Sequence, residues 1–106
     1  MNFKVLAIAM VSVAASGCAT MHKAESAVTY RDEPLVKQVE MGMTQEQVRA
    51  LGGPPSQQYT RRVKPGTCNQ YVLEHEGNQQ VYQVSFDAKG RVESKGFETC
   101  ESADHY

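Results

Sequence analysis

The sequence predicts an α+β domain in which two short N-terminal helices pack on a three-stranded antiparallel β-meander. Three observations predict this class. A helix start and a helix stop bracket residues 44–53, side chains alternate with a period of two over residues 69–86, and glycine-containing turns separate the alternating runs. At 106 residues, the chain has room for one such domain.

The N-terminal segment has the three parts of a secretory signal peptide. A short positive start containing Lys4 is followed by an apolar run over residues 5–15 and then by small residues. As a helix this run spans about 16 Å, roughly half of the ~30 Å hydrocarbon core, so we do not expect it to be a transmembrane helix. Residues 1–17 are therefore predicted to be removed on export.

The end of this segment, "ASGC" at residues 15–18, resembles the lipobox of bacterial lipoproteins. The resemblance implies cleavage before Cys18, attachment of a diacylglyceryl group to its thiol, and further acylation of the freed amine. Two or more acyl chains hold a protein stably on a membrane. Ala19 stands where an Asp favours retention in the inner membrane, which implies the outer membrane and a domain that faces the periplasm. An ordinary signal peptide with an incidental cysteine is the alternative.

After the signal peptide, three parts are predicted. Residues 18–33 lack a sustained hydrophobic period and are expected to be a flexible tether that carries the lipid. Residues 34–100 are expected to form the domain, and residues 101–106 a polar, frayed tail. The chain has 11 Lys and Arg against 12 Asp and Glu, so it lacks the basic excess that nucleic-acid binding requires.

The second helix has the clearest signal in the chain. Thr44 is followed three residues later by Gln47, a spacing in which each side chain satisfies a free backbone N–H of the first turn. Gly52 is expected to end the helix in a left-handed conformation, which predicts a helix over residues 45–51. The first helix is expected to begin at Pro34 and to be closed by the glycine of the connecting segment.

Beyond the helices the hydrophobic period changes to two, which is typical of half-buried strands. Asn69, Tyr71 and Leu73 are expected to share one face of the first strand. The turn that follows is placed at Gly77-Asn78, and a bulge is placed at Gly96. The expected strands cover residues 68–75, 80–87 and 91–97, and residues 57–63 are expected to form a weaker strand or an extended loop.

Together these elements resemble the SmpA/OmlA domain, which is shared with the BamE subunit of the β-barrel assembly machinery. The resemblance rests on "GMTQEQV" and "GGPP" in the helical part and on "SFDAKGRV" in the strands, and it covers residues 35–97. Within this family, the "GTC", "YVL" and "TC" elements around Cys68, residues 71–73 and Cys100 are similar to the osmotically inducible lipoproteins. The assembly subunit carries a Trp in its first strand and this sequence has none, which favours the osmotic branch.

The resemblance implies an outer-membrane lipoprotein that acts by protein or envelope contact in maintaining the cell envelope under osmotic stress. It implies binding to membrane lipid through the anchor and to an envelope protein partner, with no cofactor other than the covalent lipid and no small-molecule substrate. Two alternatives stay open: an accessory subunit of β-barrel assembly, and a secreted inhibitor or binding module of the same fold.

The sequence contains no set of residues with the spacing of a catalytic or metal site, so neither an enzyme nor a metal protein is expected. His22, His75 and His105 are far apart in sequence, and neither a cysteine nor an acidic cluster accompanies any of them.

Cys68 and Cys100 are the pair that remains once Cys18 is lipidated, and an oxidising compartment favours a disulfide between them. In a plain meander, however, the two residues lie two strands apart and at opposite ends, beyond the ~7 Å between Cα atoms that a disulfide tolerates. A bridge therefore requires Cys68 to lie in a loop before its strand, or the chain after Phe97 to fold back. Two free thiols and an intermolecular bridge are the alternatives.

Arg61, Arg62 and Lys64 form the densest basic cluster of the sequence. A cluster of this kind contacts anionic headgroups or an acidic surface of a partner protein. The alternative is a loop whose charges are simply solvated.

Overall fold

The computed structural model describes residues 22–105, with side chains from residue 26 onward, so the predicted signal peptide and Cys18 lie outside the described part. The fold is α+β. Its helices are α1 (His22–Thr29), α2 (Pro34–Lys37), α3 (Gln45–Gly52) and α4 (Cys100–Ala103). Its strands are β1 (Gln57–Thr60), β2 (Thr67–His75), β3 (Asn78–Phe86) and β4 (Val92–Gly96).

The sheet is an antiparallel meander in the order β1-β2-β3-β4, so it has four strands where the sequence predicts three. The additional strand, β1, comes from the segment expected to be a weaker strand or a loop, and its Tyr59 lies opposite Cys68 of β2. All four residues of β1 are exposed. Hydrophobic alternation does not reveal such a strand, because it buries neither face.

One face of the sheet is covered by α2 and α3, and it carries the apolar core. Asn69, Tyr71 and Leu73 are all buried, which confirms the predicted face of β2. The core contains residues from the helical segments and from three strands of the sheet. These residues are Tyr30, Leu35, Val39, Val48, Tyr71, Leu73, Tyr82, Val84, Phe86 and Val92.

The α3 helix begins as predicted and ends one residue later. Its capping box is present, because the Gln47 backbone N–H donates to Thr44 Oγ1 at 3.2 Å and the Thr44 backbone N–H donates to Gln47 Oε1 at 2.9 Å. The residue with positive φ is Gly53 (75°), and the prediction that Gly52 takes this role is wrong. Gly52 is the last residue of α3, and α2 packs so closely against it that a Cβ atom there would lie 2.4 Å from a methyl carbon of Leu35.

Two local features of the strands differ from the sequence expectation. The β2–β3 turn uses Glu76 and Gly77, both with positive φ, and therefore lies one residue earlier than expected. The bulge is at Glu93, since β4 loses register there. Gly96 is paired regularly with β3. The bulge at Glu93 changes the sheet face to which the following side chains of β4 point. Lys95 therefore lies on the face covered by the helices, where its Nζ donates to the carbonyls of Val36 and Val39.

The expectation of a flexible tether over residues 18–33 is wrong for residues 22–30. Residues 22–29 form α1, and Tyr30 is 3% exposed within the core. The Tyr30 hydroxyl donates to the Asn78 carbonyl at 2.8 Å, and Ser26 Oγ donates to Gln80 Oε1 at 2.9 Å. These two long-range hydrogen bonds hold the segment on β3, although its sequence has no hydrophobic period that would predict a helix packed on the sheet. Over residues 22–105, no helix combines the length and apolar character needed to cross a membrane.

Candidate functional site

Cys68 and Cys100 form an intramolecular disulfide with their Cα atoms 5.9 Å apart. Cys68 lies within β2, so the first of the two routes required for a bridge is not used. The chain instead folds back after Phe97, and α4 returns Cys100 to the sheet face opposite the core. The Cys100 backbone N–H donates to Gln70 Oε1 at 2.8 Å, which fixes the start of α4 on β2.

The segment expected to be a frayed tail is ordered, so that prediction is wrong for residues 101–105. Thr99 caps α4 by accepting from the Ser102 backbone N–H at 3.1 Å. The Asp104 backbone N–H then donates to the Cys100 carbonyl at 3.1 Å, which closes the single turn. Because the disulfide holds the first residue of this turn, the last residue is also held against the sheet.

Asp104 anchors the β1–β2 connection. Its carboxylate accepts hydrogen bonds from three successive backbone N–H groups: those of Arg62 at 2.7 Å, Val63 at 3.2 Å and Lys64 at 3.4 Å. These donors, that of Arg62 first, hold the pKa of the Asp104 carboxyl below its ordinary value, and the charge of Arg61 acts in the same direction. We refer to residues 62–64 as the basic loop.

Arg61 does not belong to the exposed basic surface, which corrects its prediction as a contact residue. Its side chain is 3% exposed, and its guanidinium donates to the Phe86 carbonyl at 3.0 Å and to Glu93 Oε2 at 2.9 Å. The bulge at Glu93 and the tight return of the chain at Gly66 bring these groups together. Arg62 and Lys64 are exposed, as a contact role requires.

A cleft of about 440 Å³ lies beside the disulfide. This volume falls within the range of small-ligand sites. The cleft joins the exposed strand β1 to α4, and its wall contains both partly exposed apolar groups and charged groups. The lining residues are Tyr59, Thr60, Arg61, Arg62, Val63, Cys68, Gln70, Thr99, Cys100, Glu101 and Asp104.

His75 and His105, the two histidines whose side chains are described, do not converge. His75 lies at the end of β2, where its Nε2 is 3.0 Å from Glu76 Oε2, and His105 lies beyond α4. Among the side chains described, those of residues 26–105, no group of three His, Cys, Asp or Glu residues is placed to hold a metal ion.

Sequence reasoning missed Asp104 and Gln70, which hold the basic loop and α4 in place. A signal for the α4 turn that carries Asp104 is present in the sequence: Thr99 is a residue type that favours the N-cap position, so a short helix could be expected after it. Gln70 has no comparable local signal, because its partner is 30 residues away.

This geometry describes a small, disulfide-closed α+β domain with an exposed basic loop and a cleft beside its disulfide. The chain belongs to the family of the outer membrane protein assembly factor BamE domain, which matches residues 28–96. The resemblance seen in the sequence is thereby confirmed.

Two kinds of relative refine this assignment. The chain is 31% identical to OsmE of Escherichia coli K12, which is named as an osmotically inducible lipoprotein. The similarity covers 94% of this chain and 88% of that one, and OsmE of E. coli O157:H7 gives the same values. It is also similar to a crystal structure described as an osmotically inducible lipoprotein OsmE, with a TM-score of 0.71 and 49% identity. That similarity covers 74% of this chain and 90% of the other.

Proposed function

We propose that this protein is an outer-membrane lipoprotein, anchored by lipid on Cys18, whose periplasmic domain maintains the envelope under osmotic stress through contact with another envelope component. The observation that carries the proposal is the similarity to OsmE over 101 residues. A match of that length extends well beyond the predicted domain and therefore includes part of the segment that precedes it. The family description also names an assembly factor and not a catalyst, which supports a contact function.

The contact surface in this proposal is the basic loop and the cleft beside it. Arg62 and Lys64 are exposed, and the main chain that carries them is held by Asp104. A loop that is already ordered loses less conformational entropy on binding. Its charge suits an acidic surface of a partner protein, or alternatively anionic headgroups.

The anchor is tested by replacing Cys18 with serine and measuring the intact mass and the membrane fraction of the mature protein. The unchanged protein should carry lipid and sediment with outer membranes, whereas the Cys18→Ser protein should keep its signal peptide and gain no lipid. The matched control is Ala19→Asp, which should retain the lipid but move to the inner membrane. A Cys18→Ser protein that is cleaved at the same bond and still sediments with outer membranes would contradict the proposal.

The contact surface is tested by the double charge reversal Arg62→Glu/Lys64→Glu. Chemical crosslinking in intact cells should capture a protein partner with the unchanged chain and lose it with the double variant. The control Lys37→Glu reverses an exposed charge on α2 and should leave capture unchanged. If the variant instead keeps its crosslinks but loses binding to anionic vesicles, the loop contacts headgroups.

The match to the assembly-factor family favours a second candidate, an accessory subunit of β-barrel assembly. In that case, barrel-assembly proteins should co-purify with this chain after detergent extraction, and the yield should fall with the Arg62→Glu/Lys64→Glu variant. Recovery of the chain alone would count against this role. Release of an unlipidated chain into the medium would point to a secreted binding module.

A further inference from the structure

The basic loop wraps around a carboxylate. Backbone N–H groups of three consecutive residues point at Asp104, with the Arg62 N–H at 2.7 Å from Oδ2 and the Lys64 N–H at 3.4 Å from Oδ1. The Val63 N–H is 3.2 Å from both oxygens. Successive N–H groups that converge on one point form a concave site that binds anions. The group bound here belongs to the chain itself.

The position of this carboxylate depends on the disulfide. Asp104 follows a single helical turn that is too short to be stable alone, and the turn is joined to β2 through Cys68–Cys100. The covalent link gives the Asp104 carboxylate a high effective concentration at the loop, so that a free anion competes poorly with it.

The cleft beside the loop is lined by Arg61, whose charge is paired with Glu93, and by Arg62, against one carboxylate other than Asp104, that of Glu101. Arg61 lines the adjacent cleft with a side chain that is 3% exposed, and its Nε has no hydrogen-bond acceptor among the described residues. Arg62 lines the same cleft from an exposed position. The cleft, of about 440 Å³, has room for a group larger than a carboxylate.

We propose that residues 62–64 are a latent oxyanion-binding site, in which Asp104 is the resident anion and the Cys68–Cys100 disulfide is the latch that keeps it there. With the latch open, the loop takes the carboxylate or phosphate group of another envelope component. This inference goes beyond the proposed function and does not depend on the lipid anchor.

The latch opens by thiol–disulfide exchange with a dithiol. The dithiol gives two electrons and two protons to the Cys68–Cys100 bond, which becomes two thiols, while the dithiol itself becomes a disulfide. The α4 turn is then held by non-covalent contacts alone, such as the bond from the Cys100 N–H to Gln70. Asp104 can leave the loop, and its three N–H groups become available.

The test measures amide chemical shifts of residues 62–64 by NMR in the mature chain, as inorganic phosphate or acetate is added at constant ionic strength. The oxidised chain should show little response. Asp104→Ala removes the resident anion while the disulfide stays intact, and it should bind one of the two anions at least about tenfold more tightly than the unchanged chain, as loss of an intramolecular competitor predicts. Addition of a dithiol to the unchanged chain should give a gain of the same sign.

Asp87→Ala is the matched control. Asp87 likewise accepts from two backbone N–H groups, those of Lys89 and Arg91, on a different turn, so its replacement removes the same charge without opening the basic loop. In the Asp87→Ala protein, the amide chemical shifts of residues 62–64 should change on addition of phosphate or acetate no more than they do in the unchanged chain. Tighter binding of phosphate than of acetate by Asp104→Ala assigns a phosphate ligand, and the reverse order assigns a carboxylate.

Three outcomes would overturn the inference. The first is a folded Asp104→Ala protein whose amides 62–64 do not respond to either anion. The second is an equal gain in Asp87→Ala, which would show a general charge effect. The third is a response of the oxidised, unchanged chain that equals that of Asp104→Ala. A reduced chain that stays folded but whose amides 62–64 do not respond would overturn the role of the disulfide as the latch. If the reduced chain unfolds, the oxidised Asp104→Ala protein still decides whether residues 62–64 bind an oxyanion.

Discussion

Removal of the Cys68–Cys100 disulfide is expected to cost at least about a third of the stability of this domain. The two cysteines are 32 residues apart, so the bridge closes a loop of 33 residues. In the chain-entropy treatment of the unfolded state, a loop of that size is worth about 3.7 kcal/mol at 25 °C. A domain of this size has a total stability of only about 4–12 kcal/mol.

The perturbation is the double replacement Cys68→Ala/Cys100→Ala, made in a chain that begins at residue 19 so that no other thiol remains for exchange. Both replaced side chains are buried, at 1% and 4% exposure, and alanine avoids adding a buried hydroxyl there. The assay is urea unfolding followed by circular dichroism. With a urea dependence of about 1–1.5 kcal/mol per M, the midpoint should fall by about 2–4 M.

Each single replacement, Cys68→Ala or Cys100→Ala, should cost about as much as the pair, because either one breaks the bridge. Reduction of the parent protein should have the same effect. A loss below about 1 kcal/mol for the pair would refute the reasoning, since the bridge would then constrain an unfolded state that is already compact.

Three further predictions concern the turns, the core and α1. Gly66→Ala should lower the free energy of unfolding by about 3 kcal/mol or more, because φ is +115° and the added Cβ would lie 1.9 Å from a main-chain carbonyl oxygen of β3. Gly42→Ala is the comparison, because its φ is +89° but the space around it is open. It should cost only about 1–2 kcal/mol, with both variants measured by thermal unfolding. Burial raises the pKa of Tyr82 from 10.0 to about 12, so the unfolded chain loses this phenol proton first. The stability that the buried Tyr82 phenol contributes should be fully present below about pH 10 and be lost as the pH rises towards 12. Phenolate absorbance should show Tyr82 titrating late, together with Tyr71, whose pKa burial also raises; the absence of any late-titrating tyrosine would contradict this. Tyr30→Phe removes the hydroxyl that donates to the Asn78 carbonyl, and it should cost about 1 kcal/mol. Hydrogen exchange should then rise in α1, and unchanged exchange there would show that α1 is held by other contacts.

The helix α3 and the two long strands could be predicted from sequence because their signals are local. The capping box needs only Thr44 and Gln47, three residues apart, and both of its hydrogen bonds are present. The buried face of β2 follows from alternation alone. The resemblance to the BamE family rests on the same local motifs, and the family match over residues 28–96 confirms it.

Other features depend on contacts between segments that are distant in sequence. Arg61 looks like a surface cation beside Arg62, yet it is buried because the bulge at Glu93 supplies a carboxylate from the far side of the sheet. The position of α1 likewise depends on a distant contact, because the hydroxyl of Tyr30 donates to the carbonyl of Asn78 in the β2–β3 hairpin, 48 residues further along the chain.

By itself, then, the sequence determined the starts of α2 and α3, the alternating strands, the presence of two cysteines beyond Cys18 and the family. Only the tertiary structure decided that the chain folds back after β4, which brings Cys100 to Cys68 and Asp104 to the basic loop. The physical reason is the range of the forces involved. Caps and hydrophobic periods act within a few residues, whereas the partners of Cys68 and Asp104 are chosen by packing across the whole sheet.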